Sequence, residues 1–287
     1  MSAPRRVVAV YGGGGAKAIG HLGAERALRE AGLTPACYVG CSMGAVIATC
    51  LAAGLPPEEV KRRADRLSGL RIAVPDPLVL ILGVSRPALL KPAPLREAFE
   101  ALVPVRRFGE LRAPLTVAVT DIDSGELLLY GNGPGDRDAP VLDVLMATCA
   151  LPLFFPPVAL DGRRCADGGL RAVVPFEAAL RLGPDLVVAV DVGPGFDEPP
   201  RDPASRIPAM VRLNDDATGI LMAGNTRTQL ALWRATPGRP PLVYVRPRVE
   251  RDATFNVARM DTYLTWGYDA TRSALTEAGM GGDSGGG

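Results

Sequence analysis

The stretch Gly40-Cys41-Ser42-Met43-Gly44 decides how the rest of this chain is interpreted. An apolar run at 36–39 leads into it, and a second apolar run at 45–53 follows and ends at Gly54, as a helix would. This order predicts a strand, a sharp turn and a helix, with Ser42 at the turn. A Gly-x-Ser-x-Gly pattern in that context is typical of a nucleophile elbow, which lifts the serine Oγ above the end of a sheet. The two glycines are needed because a Cβ beside the strained serine would collide with the neighbouring strand or helix.

A glycine-rich loop precedes the elbow. Positions 7–11 predict a buried strand, 12–17 read Gly-Gly-Gly-Gly-Ala-Lys, and 18–31 have the apolar spacing of a helix that ends at Gly32. Two successive strand, loop and helix units predict the start of an α/β sheet. Both loops would lie at the carboxyl ends of their strands, where ligands bind in such sheets.

Two functions fit a glycine loop of this kind. Gly13, Gly15 and Ala18 satisfy a relaxed dinucleotide-binding pattern, but positions 32–40 hold no Asp or Glu to bind a ribose. The other function is an oxyanion hole, in which backbone N–H groups face the charge that develops on an attacked carbonyl. We favour the oxyanion hole because Ser42 on the next strand would need one. A nucleotide-binding or non-catalytic scaffold module is the alternative.

Composition narrows the class of protein. The 287 residues, 47% of them hydrophobic, can bury a full core, and a formal net charge of +1 gives no field that would attract nucleic acid. Five cysteines without a C-x-x-C pattern favour reduced thiols. The first apolar run is too short for a signal peptide, and no later stretch reaches membrane-spanning length. We therefore expect a cytoplasmic protein without a nucleic-acid partner.

The rest of the chain alternates further strands and helices. The predicted strands are 115–121, 126–130, 158–160, 163–165, 186–191 and 242–245, and the predicted helices are 56–67, 141–149, 175–182, 211–234 and 257–278. Asp161-Gly162 predicts a two-residue hairpin turn, which delivers Asp167-Gly168-Gly169 at its far end. The tail 279–287 is expected to be disordered.

An apolar, proline-rich stretch at 70–95 has two interpretations. It could form a lid or a surface that contacts acyl chains, since exposed apolar area rimmed by charge marks a lipid or partner site. It could also be a buried connection that packs on the core. We favour the buried connection.

A single histidine limits the mechanism. His21 precedes Ser42, whereas elbow hydrolases with a Ser-His-Asp triad carry the histidine after the serine. His21 therefore fits a helix residue packed beside the glycine loop better than a catalytic base. If Ser42 is a nucleophile, another residue must accept its proton.

Five motifs follow one another along the chain. They are Gly13-Gly14-Gly15-Ala16-Lys17, His21-Leu22-Gly23, the elbow at 40–44, Ala-Thr-Cys-Ala-Leu-Pro-Leu-Phe-Phe-Pro-Pro at 147–157, and Asp167-Gly168-Gly169. In this order they resemble the motifs of the patatin-like phospholipases, and several motifs in one order are more specific than any one of them. The resemblance implies an α/β, three-layer fold with a central, mostly parallel sheet flanked by helices, in one domain over 5–278.

The resemblance also implies a Ser-Asp dyad in place of a triad. Ser42 would be the nucleophile and Asp167 its base, and a carboxylate desolvated in a cleft has the raised proton affinity that this role needs. The implied oxyanion hole comprises Gly13, Gly14, Gly15 and Lys17, and the glycines that support the two motifs are Gly40, Gly44, Gly168 and Gly169. This chain departs from the family pattern at Ala18, where a glycine is usual. No metal or cofactor is implied.

The function implied by the resemblance is hydrolysis of carboxylic esters of lipids, as by a phospholipase A or a lysophospholipase. A general carboxylesterase or thioesterase that uses the same dyad is the alternative. The implied partners are a lipid or other acyl-ester substrate and, transiently, a membrane surface. The resemblance does not imply the head group, the ester position or the oligomeric state.

Overall fold

In a computed structural model of the chain, which describes residues 5–68, 73–77, 88–195, 208–248, 250 and 257–280, a sheet of eight strands forms the middle of the fold. The strands are β1 (Val7–Tyr11), β2 (Cys37–Cys41), β3 (Leu115–Asp121), β4 (Leu127–Gly131), β5 (Val158–Leu160), β6 (Arg163–Asp167), β7 (Leu186–Val190) and β8 (Leu242–Val245). Each strand is hydrogen-bonded to the next in the series β5-β6-β3-β2-β1-β7-β8, and β4 also pairs with β3.

The pairing is parallel from β3 through β2, β1 and β7 to β8. It is antiparallel where β3 pairs with β4 and with β6, and where β5 pairs with β6. The central strands are continuously buried and rich in Val, as expected for a parallel sheet covered on both faces. The predicted mostly parallel α/β sheet is thereby confirmed.

Helices cover both faces of the sheet. They are α1 (Gly20–Glu30), α2 (Ser42–Ala52), α3 (Pro57–Leu67), α4 (Pro92–Leu102), α5 (Val141–Thr148), α6 (Gly169–Ala172), α7 (Phe176–Ala179), α8 (Ala209–Ala235) and α9 (Met260–Glu277). Along β1, Tyr11 and its alternate neighbours belong to one core cluster, and Val8 and Val10 belong to another. The first cluster includes residues of α1, α2 and α9, whereas the second includes Trp233 of α8. Two cores on opposite faces of one sheet make the predicted three layers.

Helix α1 is held closely against its neighbours. A Cβ on Gly23 would lie 2.0 Å from the carbonyl oxygen of Leu264, so glycine allows α1 and α9 to touch through their backbones. Glu25 is fully buried and accepts hydrogen bonds from the hydroxyls of Tyr11 at 2.7 Å and Tyr38 at 3.0 Å. These contacts fix α1 to β1 and β2, the strands that lead into the glycine loop and the elbow.

Most predicted elements lie where the sequence pattern put them. The hairpin turn has positive φ at both Asp161 and Gly162, as the two-residue turn requires. The helix predicted over 18–31 is preceded by a 3₁₀ helix, Gly15–Ile19, and α2 begins at Ser42 itself instead of three residues later.

One helix, α4, was missed in the stretch interpreted as a connection. Proline in its first turn and apolar residues at Leu95, Ala98, Phe99 and Leu102 are typical helix signals. The described ends of the connection pair with each other, Pro75 with Leu90, and Leu95 is buried. Residues 78–87 lie outside the described residues, as does the predicted tail beyond Met280.

Candidate active site

The elbow has the strained geometry that the motif predicts. Ser42 has φ 51°, the left-handed region that non-glycine residues rarely adopt. A Cβ on Gly40 would lie 2.4 Å from Cα of Ala45, and a Cβ on Gly44 would lie 2.3 Å from the carbonyl oxygen of Gly12. Both glycines are therefore required by close backbone contacts, and the turn sets Ser42 at the first position of α2.

Asp167 reaches Ser42 because two strands end towards each other along one edge of β3. Cys41 at the end of β2 pairs with Ala118, and Asp167 at the end of β6 pairs with the next residue, Val119. Val119 also pairs with Leu128 of β4, which occupies the opposite edge. Strands β2 and β6 therefore share the remaining edge, and their carboxyl ends meet.

The two side chains form a direct hydrogen bond. Ser42 Oγ donates to Asp167 Oδ2 at 2.8 Å, and the Gly169 N–H donates to Asp167 Oδ1, also at 2.8 Å. Only 4% of Asp167 is exposed, and this burial raises its pKa to about 6, although the hydrogen bonds from Gly169, Ser42 and Cys41 partly oppose the shift. The carboxylate is thus a stronger base than an ordinary aspartate and still ionises below neutral pH.

Thr148 holds the backbone of Ser42, a role that the sequence analysis did not assign. Its fully buried hydroxyl donates to the Ala118 carbonyl at 2.6 Å and accepts the Ser42 N–H at 2.9 Å. The hydroxyl therefore joins the last position of β3 that pairs with β2 to the elbow. A polar residue at the end of α5, whose other polar residue is Asp143 in the first turn, was the available signal.

The glycine loop lies beside Ser42. The Gly13 N–H donates to the Val173 carbonyl at 2.9 Å, so the prediction that Gly13 belongs to the oxyanion hole needs correction: its amide is already engaged. The lack of a side chain at Gly13 leaves room for Ser42, since a Cβ on Gly13 would lie only 3.1 Å from Cβ of Ser42. Within the described residues, the Gly14 and Gly15 amides have no backbone acceptor. Among the residues predicted for the oxyanion hole, these two backbone N–H groups are therefore the candidate donors.

The loop after β7 supports the glycine loop from behind. A Cβ on Gly14 would lie 2.5 Å from the Val192 carbonyl oxygen, so the two backbones are in contact. Asp191 Oδ1 accepts the Gly193 N–H at 2.8 Å and lies 3.1 Å from an Arg246 nitrogen, which also donates to the Gly193 carbonyl at 2.7 Å. Sequence reasoning missed this support. Its signal was an Asp followed two residues later by Gly at a strand end, as at Asp167 and Gly169.

Lys17 and Ala18 lie in the 3₁₀ helix that follows the glycine loop. Lys17 is only 3% exposed and lines the same cavity as Ser42, and its part in an oxyanion hole stays a prediction. Ala18 is also buried, belongs to the first core cluster and lines the same cavity.

His21 is a packed residue of α1. Its Nε2 lies 2.8 Å from the Gly12 carbonyl, to which it donates, and its ring stacks on Tyr11 with 4.6 Å between centroids. Burial lowers the pKa of His21 to about 4, so the ring is neutral near pH 7. His21 thus supports the residue that precedes the glycine loop, and it makes no hydrogen bond with Ser42 among the described contacts.

A cavity of about 920 Å³ is lined by the glycine loop, Ser42 and Asp167. The apolar part of its lining comprises Ile47, Leu67, Leu95, Phe99, Leu102 and Phe154. Helix α8 contributes Arg212, Asp215, Asp216, Thr218, Gly219 and Met222. An apolar cleft of this volume with a few polar groups at one point is suited to a small amphipathic molecule.

In the described ranges, no group of three or more His, Cys, Asp or Glu side chains is placed to hold a metal ion. None of the helices in those ranges is long and apolar enough to cross a membrane.

Comparison with known proteins identifies one family. A model described as patatin-like phospholipase matches residues 9–180. An uncharacterized NTE family protein of Mycobacterium tuberculosis is 29% identical over 216 residues, which cover 74% of this chain and 57% of that protein. The human patatin-like phospholipase domain-containing protein 6 is 26% identical over 65% of this chain and 13% of its own length. Lysophospholipase NTE1 of Coccidioides immitis is 24% identical over 90% of this chain and 17% of its own length.

These relatives are longer than the matched region, and the chain corresponds to about half or less of each. Among solved structures, VipD from Legionella pneumophila matches with a TM-score of 0.49 and 16% identity, covering 96% of this chain and 67% of that chain.

Proposed function

Because the chain belongs to the patatin-like phospholipase family, we propose that it is a lipid acyl hydrolase in which Ser42 is the nucleophile and Asp167 the general base. The observation that carries this proposal is the 2.8 Å hydrogen bond from Ser42 Oγ to the buried Asp167 carboxylate, two residues that line a mostly apolar cavity. A nucleophile within hydrogen-bond reach of its base, and a base oriented by a third group, is the arrangement that covalent catalysis needs. The Gly169 N–H is that third group.

Acylation begins when Asp167 Oδ2 accepts the Ser42 proton and Oγ attacks the ester carbonyl carbon. The carbonyl oxygen becomes an oxyanion, for which the Gly14 and Gly15 N–H groups are the candidate donors. When the tetrahedral intermediate collapses, the bond to the alcohol breaks, and Asp167 returns its proton to the leaving oxygen. Ser42 is then acylated and Asp167 is again a carboxylate.

Deacylation repeats these steps with water as the nucleophile. Asp167 accepts a proton from the water, which attacks the acyl carbon, and then returns that proton to Ser42 Oγ as the acid leaves. The chain regains its starting protonation state, and one ester and one water have become one acid and one alcohol.

The cavity favours an ester with a long acyl chain. Its apolar lining includes Ile47 of α2 and Leu102 at the end of α4, and burial of methylene groups there would contribute about 0.8 kcal/mol each. Charged residues of α8 line the same cavity and would accommodate a polar head group. We therefore propose phospholipid or lysophospholipid acyl esters as the substrate class.

The test compares wild type, Ser42→Ala and Asp167→Asn on p-nitrophenyl esters of short and long acyl chains and on lysophosphatidylcholine. Both variants should lose activity by a thousand-fold or more, on the order of other nucleophile and base substitutions. Ser68→Ala is a matched control, because Ser68 also lines the cavity but its hydroxyl donates to the Asp65 carbonyl. It should retain activity.

A fluorophosphonate probe followed by peptide mass spectrometry should place the adduct on Ser42. Labelling of Ser68 alone, or undiminished hydrolysis by Ser42→Ala, would overturn the proposal. Hydrolysis of short esters or thioesters with no preference for lipids would leave the proposed mechanism in place but overturn the lipid substrate class. The protein would then be a general carboxylesterase or thioesterase.

A further inference from the structure

The outer surface of α8 is unusually apolar. Five large hydrophobic side chains are exposed in the described part of the chain, and all five belong to this helix: Met210 (81%), Leu213 (67%), Ile220 (55%), Leu221 (74%) and Leu232 (56%). A surface helix normally turns its apolar side inwards and its charged side to water. This helix presents apolar residues to water as well.

These side chains share one face of the helix. Met210, Leu213, Ala217, Ile220 and Leu221 follow the spacing that brings residues onto one side of an α-helix, and all are exposed. Leu232, nearer the end of the helix, lies on the same side and is also exposed. We call these six residues the outer face of α8. From Met210 to Leu232 it is about 33 Å long.

The inner face of the same helix is attached to the catalytic segment. Met222 lies next to Gly169, two residues after Asp167, since a Cβ on Gly169 would be 3.3 Å from its Cε. The side-chain amides of Asn225 and Gln229 both donate to the carbonyl of Arg171. Helix α8 therefore has a fixed position relative to the dyad.

The outer face reaches the rim of the cavity. Ile220 lines the cavity and is also 55% exposed, so it belongs to both surfaces. A body that covers the outer face would therefore lie directly beside the opening through which substrate enters.

The charges on α8 complement an anionic surface. Throughout Ala209–Ala235, all of which the structure describes, the exposed charged residues are Arg227 and Arg234, and both are basic. The acidic residues Asp215 and Asp216 are only partly exposed and line the cavity. An apolar face flanked by arginines is typical of helices that lie in the plane of a lipid interface.

We propose that the outer face of α8 docks this protein on an anionic lipid surface, with the cavity opening beside the lipid. The inference rests on the proposed function, because a hydrolase that acts on membrane phospholipids takes its substrate from a lipid surface. A lipid layer fits better than a protein partner, since the face has no Trp, Tyr or Phe, the residues that anchor most protein interfaces. A protein bound here would also stand between the cavity and its substrate.

The test measures binding of Ser42→Ala protein to vesicles, so that hydrolysis cannot alter the lipid. The vesicles are phosphatidylcholine alone or phosphatidylcholine with phosphatidylglycerol, and bound protein is separated by flotation. Binding should be stronger to the vesicles that contain phosphatidylglycerol. Adding Leu213→Gln and Leu221→Gln should weaken it by about tenfold or more, since two apolar side chains lose their burial in lipid.

A matched control replaces the same two residues with Met, which keeps the face apolar and should preserve binding. Replacing Arg227 and Arg234 with Gln should remove the preference for phosphatidylglycerol and leave the binding to phosphatidylcholine unchanged. Because all these positions are exposed, the melting temperature of each variant should stay close to that of Ser42→Ala, which checks folding.

Two outcomes would overturn the docking proposal. One is vesicle binding that the double Gln variant leaves unchanged. The other is the absence of vesicle binding together with dimers, measured by light scattering, that the Gln variant dissociates, which would make the face an interface between copies. Docking without any fluorophosphonate labelling of the wild type would instead retain the surface and overturn the hydrolase. Labelling at Ser42 without vesicle binding would retain the hydrolase and overturn the docking proposal.

Discussion

Ser42 Oγ donates a 2.8 Å hydrogen bond to Asp167 Oδ2 in a setting where Asp167 is only 4% exposed. Burial raises the pKa of this carboxyl to about 6, and in the proposed mechanism that value sets the pH above which Asp167 can accept the Ser42 proton. We therefore predict that kcat/KM on a soluble ester rises with pH to a plateau above about 6. Below that pH it should fall roughly tenfold per unit, because only the carboxylate can act as a base.

The control for the pH profile is His21→Gln, since the glutamine amide can still donate to Gly12. The pKa of His21 is lowered by burial to about 4, so the midpoint of the profile should not move in this variant. The assignment of Asp167 as base would be contradicted if the pH dependence of kcat/KM were lost in His21→Gln. It would also be contradicted if kcat/KM of the wild type stayed at its plateau value down to pH 5.

Asp167 should lower the stability of the folded protein at neutral pH. Its pKa is about 6 when folded and about 3.8 when unfolded, so between these values the unfolded chain releases its proton first. Stability is therefore fully retained below about pH 4, falls as the pH rises to about 6, and stays reduced above it, by about 2–3 kcal/mol. Asp167→Asn cannot ionise and should melt at a higher temperature than wild type at pH 7.5.

Thermal unfolding at two pH values tests this prediction. The difference in melting temperature between Asp167→Asn and wild type should shrink towards zero when the pH is lowered to 4. An Asn variant that melts below wild type by the same amount at both pH values would show that packing, not ionisation, dominates at this position.

Local sequence patterns marked both Ser42 and Asp167, whereas their pairing was expected only from the family resemblance. Ser42 and Asp167 were each marked by glycines that permit close backbone approach. Their contact depends on the register of β2 and β6 along β3, where Cys41 pairs with Ala118 and Asp167 with Val119. These pairings bring together Ser42 and Asp167, which are 125 positions apart, and no local pattern encodes them.

The outer face of α8 could not be predicted from the sequence, for a different reason. The helix was predicted from its spacing, but it carries apolar residues on both its inner and outer sides, such as Met222 and Leu221. Periodicity alone therefore could not show which side faces the sheet. Only the contacts of Met222, Asn225 and Gln229 with the segment after Asp167 decide it.

Gly14→Ala should impair catalysis more than folding. The added Cβ would lie 2.5 Å from the Val192 carbonyl oxygen, so the glycine loop must move away from the loop that supports it. Displacement of the candidate oxyanion donors should lower kcat by about a hundred-fold or more. The measurement is steady-state kinetics on a soluble ester, together with thermal unfolding.

Gly109→Ala is the matched control for the Gly14 substitution. Gly109 has ordinary φ and no atom within 4 Å of an added Cβ, so kcat should not change and stability should change by no more than about 0.5 kcal/mol. Normal kcat in Gly14→Ala would count against the glycine loop as the oxyanion hole.

Thr148 should act as a positioning residue for Ser42. Its hydroxyl accepts the Ser42 N–H at 2.9 Å and donates to the Ala118 carbonyl at 2.6 Å, so Thr148→Val leaves two buried backbone groups without a partner. We expect a loss of about 1–3 kcal/mol in the free energy of unfolding. The strained φ of Ser42 would also be less well held, and kcat should fall about ten- to a hundred-fold with little change in KM.

The comparison that isolates the Thr148 hydroxyl uses Thr148→Ser, which keeps both hydrogen bonds and removes only a methyl group. It should restore most of kcat and leave the pH midpoint near 6, because Asp167 is untouched. A merely structural role would lower the stability of Thr148→Val without changing kcat of the folded fraction. Equal losses of kcat in the Val and Ser variants would mean that the methyl group, not the hydroxyl, holds the elbow in place.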